Sequence, residues 1–149
     1  MLLIGTKNVG TQTVLADGTI NVGSVYRKFC KRNACGVGAF NATANGVSLQ
    51  HEGIYHITAV FVGTASAAGV ATIQLALNGV LVDGALASET ITTADTEVRT
   101  WVVDYYAKVD ANCVLGVRTT DVQSVSFVNV SDAIDLTLTS VVVNVDKVV

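Results

Sequence analysis

The sequence predicts an all-β chain of about eight to ten strands folded as one antiparallel sandwich, on three observations. Proline is absent from the 149 residues. No apolar stripe of helical period runs beyond two turns. Short segments rich in β-branched and aromatic residues alternate with clusters of Gly, Asn, Asp and Ala-Ser. The length suits a single domain with a real core.

The opening MLLIGTKNVGTQTVLADGTI is rich in Thr, Gly and Asn, with isolated Val and Leu. It reads as an outer strand or an arm docking on a neighbour, so residues 1–23 are set apart from a main domain at 24–149. One or two strands are expected before Phe40 and a short one at Val47–Leu49. From Ile54 to Val62, Tyr55, Ile57, Ala59 and Phe61 make one face and His56 and Thr58 the other, until Val60 and Val62 turn both faces apolar. GTASAAG (63–69) reads as a loop. Val70–Leu77 places Ala71, Ile73, Leu75 and Leu77 opposite Thr72 and Gln74, and Asn78-Gly79 joins it to Val80–Val82 as a hairpin, because a type I′ turn needs positive φ at both central residues. Further strands are expected at Val98–Tyr106, Cys113–Thr119, Val125–Val130 and Leu136–Lys147. Trp101-Val102-Val103 and Val141-Val142-Val143 leave no polar face, so beyond the sandwich core they ask for a second layer or another subunit. A few Val, Leu or Phe side chains left in water, at roughly 1.5–3 kcal/mol each for full burial, favour self-association.

Half of the residues are hydrophobic and 14% are charged, but no apolar run approaches the roughly 18 residues of a membrane span. The three apolar residues between Met1 and Gly5 are too few for a signal peptide, so export by that route is not expected. A net charge of −3 argues against a surface built for phosphates. Yet four of the nine Lys+Arg residues, Arg27, Lys28, Lys31 and Arg32, fall within VYRKFCKRNAC beside Tyr26 and Phe29. Charge and stacking of this kind can track a single strand of nucleic acid, but one short cluster in an acidic chain reads better as a protected strand edge or a contact with an acidic protein surface.

Cys30 and Cys35 are spaced like half of a structural zinc site, but four ligands are needed and the second pair is missing; Cys113, His51 and His56 are the spare candidates. A Cys30–Cys35 disulfide is compatible with a turn, and plain thiols are the favoured state in a reducing cytosol. Cys113 reads as a small core residue. His51-Glu52-Gly53-Ile54-Tyr55-His56 mimics a zinc-protease motif, yet its second histidine stands at i+5 and a strand replaces the helix. The scattered aspartates form no calcium loop, and neither a nucleophile elbow nor a phosphate loop is present, so no metal, cofactor or enzymatic activity is expected.

Residues 46–82, GVSLQHEGIYHITAVFVGTASAAGVATIQLALNGVLV, followed by the closing LTLTSVVVNVDKVV, resemble the jelly-roll domains of tumour necrosis factor and of complement first-component globular heads, as they recur in bacteriophage virion proteins. The likeness lies in a short strand ending at Leu49, Gly53-Ile54-Tyr55 opening a long strand, a second strand ending in Asn78-Gly79, and the apolar closing strand. It spans about residues 20–149. It implies a jelly-roll sandwich that packs as a homotrimer about a threefold axis, and it brings no catalytic residue.

The function this implies is that of a structural virion protein made in the host cytoplasm, a capsid decoration or head fibre. The expected trimer contact is Leu136, Leu138, Val141, Val143, Val145 and Trp101; Arg27, Lys28, Lys31 and Arg32 are expected to meet the capsid or another virion protein. The alternative is a host-surface glycan- or protein-binding module acting through loops 63–69, 83–96 and 119–124. Neither nucleic acid nor membrane is an expected partner.

Overall fold

The computed structural model describes residues 2–30 and 40–149. The strands are β1 (Leu2–Asn8), β2 (Gln12–Val14), β3 (Ser24–Cys30), β4 (Phe40–Thr43), β5 (Gly46–Leu49), β6 (Gly53–Ala65), β7 (Gly69–Leu77), β8 (Val80–Ile91), β9 (Arg99–Val109), β10 (Ala111–Val114), β11 (Val117–Thr120), β12 (Gln123–Asn129) and β13 (Leu136–Lys147). One antiparallel sheet runs β3-β1-β13-β6-β9, with β2 also on β13; the other runs β4-β5-β12-β7-β8; β10 and β11 form a separate hairpin.

Alternation fixes which side of each strand is buried. Along β6, Tyr55, Ile57, Ala59, Phe61 and Ala65 face the other sheet and are fully covered. Phe61 meets Phe127 of β12 edge-on at 5.2 Å, and Phe40 of β4 meets Tyr55 at 5.9 Å. The indole Nε1 of Trp101 donates to the Ala71 carbonyl at 3.0 Å, so the largest core side chain also links β9 to β7 across the sandwich. Asn78 and Gly79 take φ of 53° and 79°, the left-handed pair that a type I′ hairpin requires. Asn78 Oδ1 accepts from the Ser124 amide at 2.8 Å, tying this turn to β12.

Of the two readings of the N-terminal segment, outer strand or docking arm, the structure gives strand: β1 lies between β3 and β13, and Ile20 and Val22 are completely buried. Two other expectations are corrected. The stretch 113–119 is not one strand, because Leu115 and Gly116, at φ of 51° and 77°, fold it into the β10–β11 hairpin. Segment 83–96 is mostly strand, since β8 continues to Ile91.

A buried polar hub ties the N-terminal segment in place. Asn129 Nδ2 donates to the carbonyls of Val14 and Ile134 at 3.1 and 2.9 Å, and its Oδ1 accepts from the Ser131 amide at 3.1 Å. An asparagine without solvent exposure is tolerable only when its amide is paired in this way.

Candidate functional site

Leu136, Leu138, Val141, Val143, Val145 and Trp101, expected at a trimer contact, are all buried inside the single protomer at 1% exposure or less. A side chain already without accessible surface has none to lose on association, so these residues are core. In β13, pairing with β6 shifts register between Leu138 and Ser140. The extra residue, Thr139, reverses the alternation: Leu136 and Leu138 face inward before it, and Val141, Val143 and Val145 do so after it.

The neighbours of these residues form the outward face of the first sheet. Strand pairing aligns Val102, Val60, Val142 and Lys7 in one row and Asp104, Thr58, Asn144, Gly5 and Arg27 in the next. A third row runs Tyr106, His56, Asp146, Leu3 and Phe29. Val102, Tyr106 and Phe29 are 52–58% exposed, and the first row is apolar until Lys7.

At the β9 edge, His56 Nε2 lies 2.5 Å from Asp104 Oδ1 and 3.4 Å from Thr58 Oγ1. The imidazole stacks on Tyr106 with ring centres 4.5 Å apart and planes 9° from parallel. Asp146, directly across β13 from His56, has a buried Oδ1 with no hydrogen-bond partner. This is an oriented polar cluster set in an apolar face. His51 occupies the turn before β6, where its carbonyl accepts the Tyr55 hydroxyl at 2.6 Å, and burial pushes the phenol up to about 12. The two histidines are therefore separated by a turn and a strand start, as their spacing implied.

At the opposite edge, β1 and β3 pair with a bulge between Gly5 and Thr6. It places both Tyr26 and Arg27 over Gly5: the Tyr26 hydroxyl donates to Asn144 Oδ1 at 3.1 Å and Arg27 Nη2 to the same oxygen at 3.3 Å. Lys7 Nζ and the Arg27 guanidinium stand 6.0 and 5.7 Å from the Tyr26 ring centre. A Cβ at Gly5 would come within 2.8 Å of the Tyr26 ring and 2.9 Å of Asn144 Oδ1, so the patch is closed only because residue 5 is glycine. Arg27 pairs with Gly5 on the outward face, whereas Lys28 pairs with buried Ile4 and leaves β3 on the opposite side. The basic cluster is thus split by the strand. Lys31, Arg32 and Cys35 lie outside the described residues.

The outward face of the second sheet differs in chemistry. Ser48 and Ser124 share a hydroxyl hydrogen bond at 2.9 Å, and Thr72 and Ser88 share one at 2.7 Å. A shallow cavity of about 480 Å³ at the end of the first sheet is lined by Glu52, Ile54, Lys108, Asp110 and Lys147, with Lys108 paired to Asp110 at 3.1 Å. Among the described residues no three His, Cys, Asp or Glu side chains converge on a metal position. Between β8 and β9 the Glu97 carboxylate closes the loop, accepting the amides of Thr92 and Thr93 at 2.7 and 3.0 Å and pairing with Arg99. These amide bonds, Thr93 first, hold its carboxyl down at about 2.

Sequence reasoning located the histidine strand, the basic cluster and the doubly apolar runs that hold Val60, Val102 and Val142, but assigned the contact to inward neighbours such as Trp101, Val141 and Val143. The available signal was parity: Val60, Val102 and Val142 each alternate with a core residue.

No protein-family model matches the sequence, and no curated protein does. Solved structures match the fold over nearly the whole chain. The Eiger TNF structure from S. frugiperda superposes with a TM-score of 0.63 at 10% identity, covering 100% of this chain and 94% of that one. The globular domain of zebrafish complement 1qA gives 0.63 at 6% identity, with 100% and 98% covered. PRD1 vertex protein P5 gives 0.55 at 16% identity, with 99% and 97% covered. The protein is a jelly roll of the kind shared by tumour necrosis factor and complement globular heads, and the structures alike in fold include a phage vertex protein.

Proposed function

We propose that the protein is a non-enzymatic structural component of a bacteriophage virion, a homotrimeric capsid decoration or head fibre. The observation that carries the reading is the outward face of the β3-β1-β13-β6-β9 sheet, where Val60, Val102, Val142, Tyr106 and Phe29 form an apolar and aromatic surface on a fold whose resemblance implies a trimer. The likeness in fold to a phage vertex protein supports the virion setting. Lys28, with Lys31 and Arg32, supplies the contact with an acidic capsid surface; Arg27, expected with them, points to the subunit face instead.

Light scattering at micromolar concentration should give a mass three times that of the 15.5 kDa chain, and a stable monomer would sink the trimer. Purified capsids should bind the protein in a salt-sensitive way that Lys28→Glu weakens. Hits on a glycan array in the absence of capsid binding would replace attachment with host recognition.

A further inference from the structure

Two hairpins of the protein close on the same turn at the same end of the sandwich. Asn78-Gly79 turns β7 into β8 at φ of 53° and 79°, and Leu115-Gly116 turns β10 into β11 at 51° and 77°. Leu77, just before the first turn, pairs with Val125 near the start of β12, and β11 runs directly into that start, so both turns belong to one end. At the first, the left-handed backbone falls on a residue that tolerates it, and β12 holds the side chain: Asn78 Nδ2 donates to Gln123 Oε1 at 3.1 Å, and Oδ1 accepts the Ser124 amide. At the second, the same backbone is imposed on a leucine whose side chain is 98% exposed. The β10–β11 hairpin belongs to neither large sheet, and a Cβ on Gly116 would meet nothing within 4 Å, so the tip stands clear of the body. Val117 beside it is exposed, as are Val80, Val122, Val148 and Val149 at the same end. Backbone strain and a hydrated leucine are two costs at one position, and neither is repaid inside the protomer.

We propose that the β10–β11 hairpin anchors the protein end-on to the capsid, Leu115 entering an apolar socket on a capsid protein with Val117 packed behind it. This rests on the virion reading and adds which end docks and which residue leads. Exposed Thr120, Asp110 and Asp121 surround the foot of the hairpin, and a small apolar anchor ringed by polar groups is the anatomy of a protein–protein hot spot. The two carboxylates oppose approach to an anionic lipid surface. A second copy is a poor host for the leucine: the cavity at this end is lined by Glu52, Lys108, Asp110 and Lys147, whose charges would lose water if it were filled by an apolar side chain. The cation assigned to the capsid stands towards the same end, since Lys28 lies two residues before Cys30, which pairs with Leu2 as Leu2 does with Lys147. In a trimer with a threefold axis the three hairpins lie at one height along that axis, so three weak anchors act together.

The test is co-sedimentation of the full-length chain with purified capsids, alongside thermal melts and light scattering. Leu115→Asn keeps a residue that accepts the left-handed turn and removes the apolar anchor. Its capsid affinity should fall by about tenfold or more, while the melting midpoint stays level or rises and the trimer mass is unchanged. Val98→Thr, on an equally exposed valine at the opposite end of β9, should bind as the wild type does. Wild-type binding by Leu115→Asn, with Lys28→Glu still weakened, would overturn the anchor and leave the capsid reading standing. A change in trimer mass would reassign the hairpin to contacts between copies, and leucine-dependent binding to vesicles of anionic lipid would reassign it to a membrane; either overturns the proposal. A wild-type chain that ignores capsids would overturn both readings.

Discussion

The two outward faces of the sandwich are built on the same strand geometry and differ in what they offer a neighbour. On the second sheet hydroxyls pair with one another, Ser48 with Ser124 and Thr72 with Ser88, and the Thr72–Ser88 row separates the exposed Val70 from the exposed Leu86. On the first sheet a valine row crosses three strands, an aromatic stands exposed at each end of the next-but-one row, and Asp146 keeps a buried carboxylate oxygen unpaired. Apolar side chains on the second face are interrupted by hydroxyl pairs, while on the first they run on as a row that gains more from being covered. The difference marks the face that a neighbour would gain more by covering, because the apolar content of the chain is mostly spent in the core.

The most severe way to break the comparison is to remove residues 1–23. With β1 gone, β3 loses its partner and β13 loses one of its neighbours, while Ile20 and Val22 no longer fill the core. The expected outcome is an unfolded or aggregated chain with no sheet signal in circular dichroism; a folded trimer after truncation would show the segment to be an appendage.

A smaller effect is expected where the two sheets share a hub. Asn129→Leu leaves the Val14 and Ile134 carbonyls and the Ser131 amide without their partner in a dry site, at a cost of about 3 kcal/mol. Urea unfolding should show a lower midpoint with an unchanged slope. Both outward faces should survive in the remaining folded fraction.

The faces are separated most sharply by one charge on each. Val102→Asp, in the valine row, should abolish the trimer, and Thr90→Asp, exposed on the second sheet, should leave it intact. Monomer stability should change by less than about 0.5–1 kcal/mol in either case, since neither side chain is buried in the protomer. Light scattering at matched concentration distinguishes them, and equal effects would erase the contrast between the faces.

Much of this architecture is legible in the chain. The alternation of Tyr55, Ile57, Ala59 and Phe61 marks the core side of β6, and Asn78-Gly79 marks the hairpin, because each is a short-range rule with a strong steric or solvation cause. The site was less legible because its logic is a matter of register. A single extra residue at Thr139 reverses the faces of β13, and a bulge opposite Gly5 brings Tyr26 and Arg27 to the same side of β3; neither carries a composition signal. The Leu115-Gly116 turn was hidden for a related reason, since a leucine at positive φ is not among the residues that turns advertise. The N-terminal segment looked detachable because its buried residues are scattered, and its hold on the fold depends on Asn129, more than a hundred residues away.

The smallest expected effect tests the loop that joins the two sheets, between β8 and β9. Glu97 has its carboxyl at about 2 in the fold against an ordinary 4.5, chiefly through the Thr93 and Thr92 amides, with the Arg99 charge a lesser contribution. A carboxyl depressed by folding contributes stability that is fully present above its ordinary value and is lost as pH falls through the folded one. The wild type should therefore lose stability between about pH 4.5 and 2 more steeply than Glu97→Gln, which has no carboxylate to protonate. Denaturant midpoints taken across that interval check this, and parallel slopes would show that the clasp does not distinguish the charged carboxylate. Because the loop carries the chain from the hydroxyl-paired sheet to the edge strand bearing Asp104, trimer affinity measured in the same acid range will show whether loosening it reaches the subunit face. Proton uptake at Glu97 alone should loosen the connection and leave the valine row in place, since β9 is held along its length by β6.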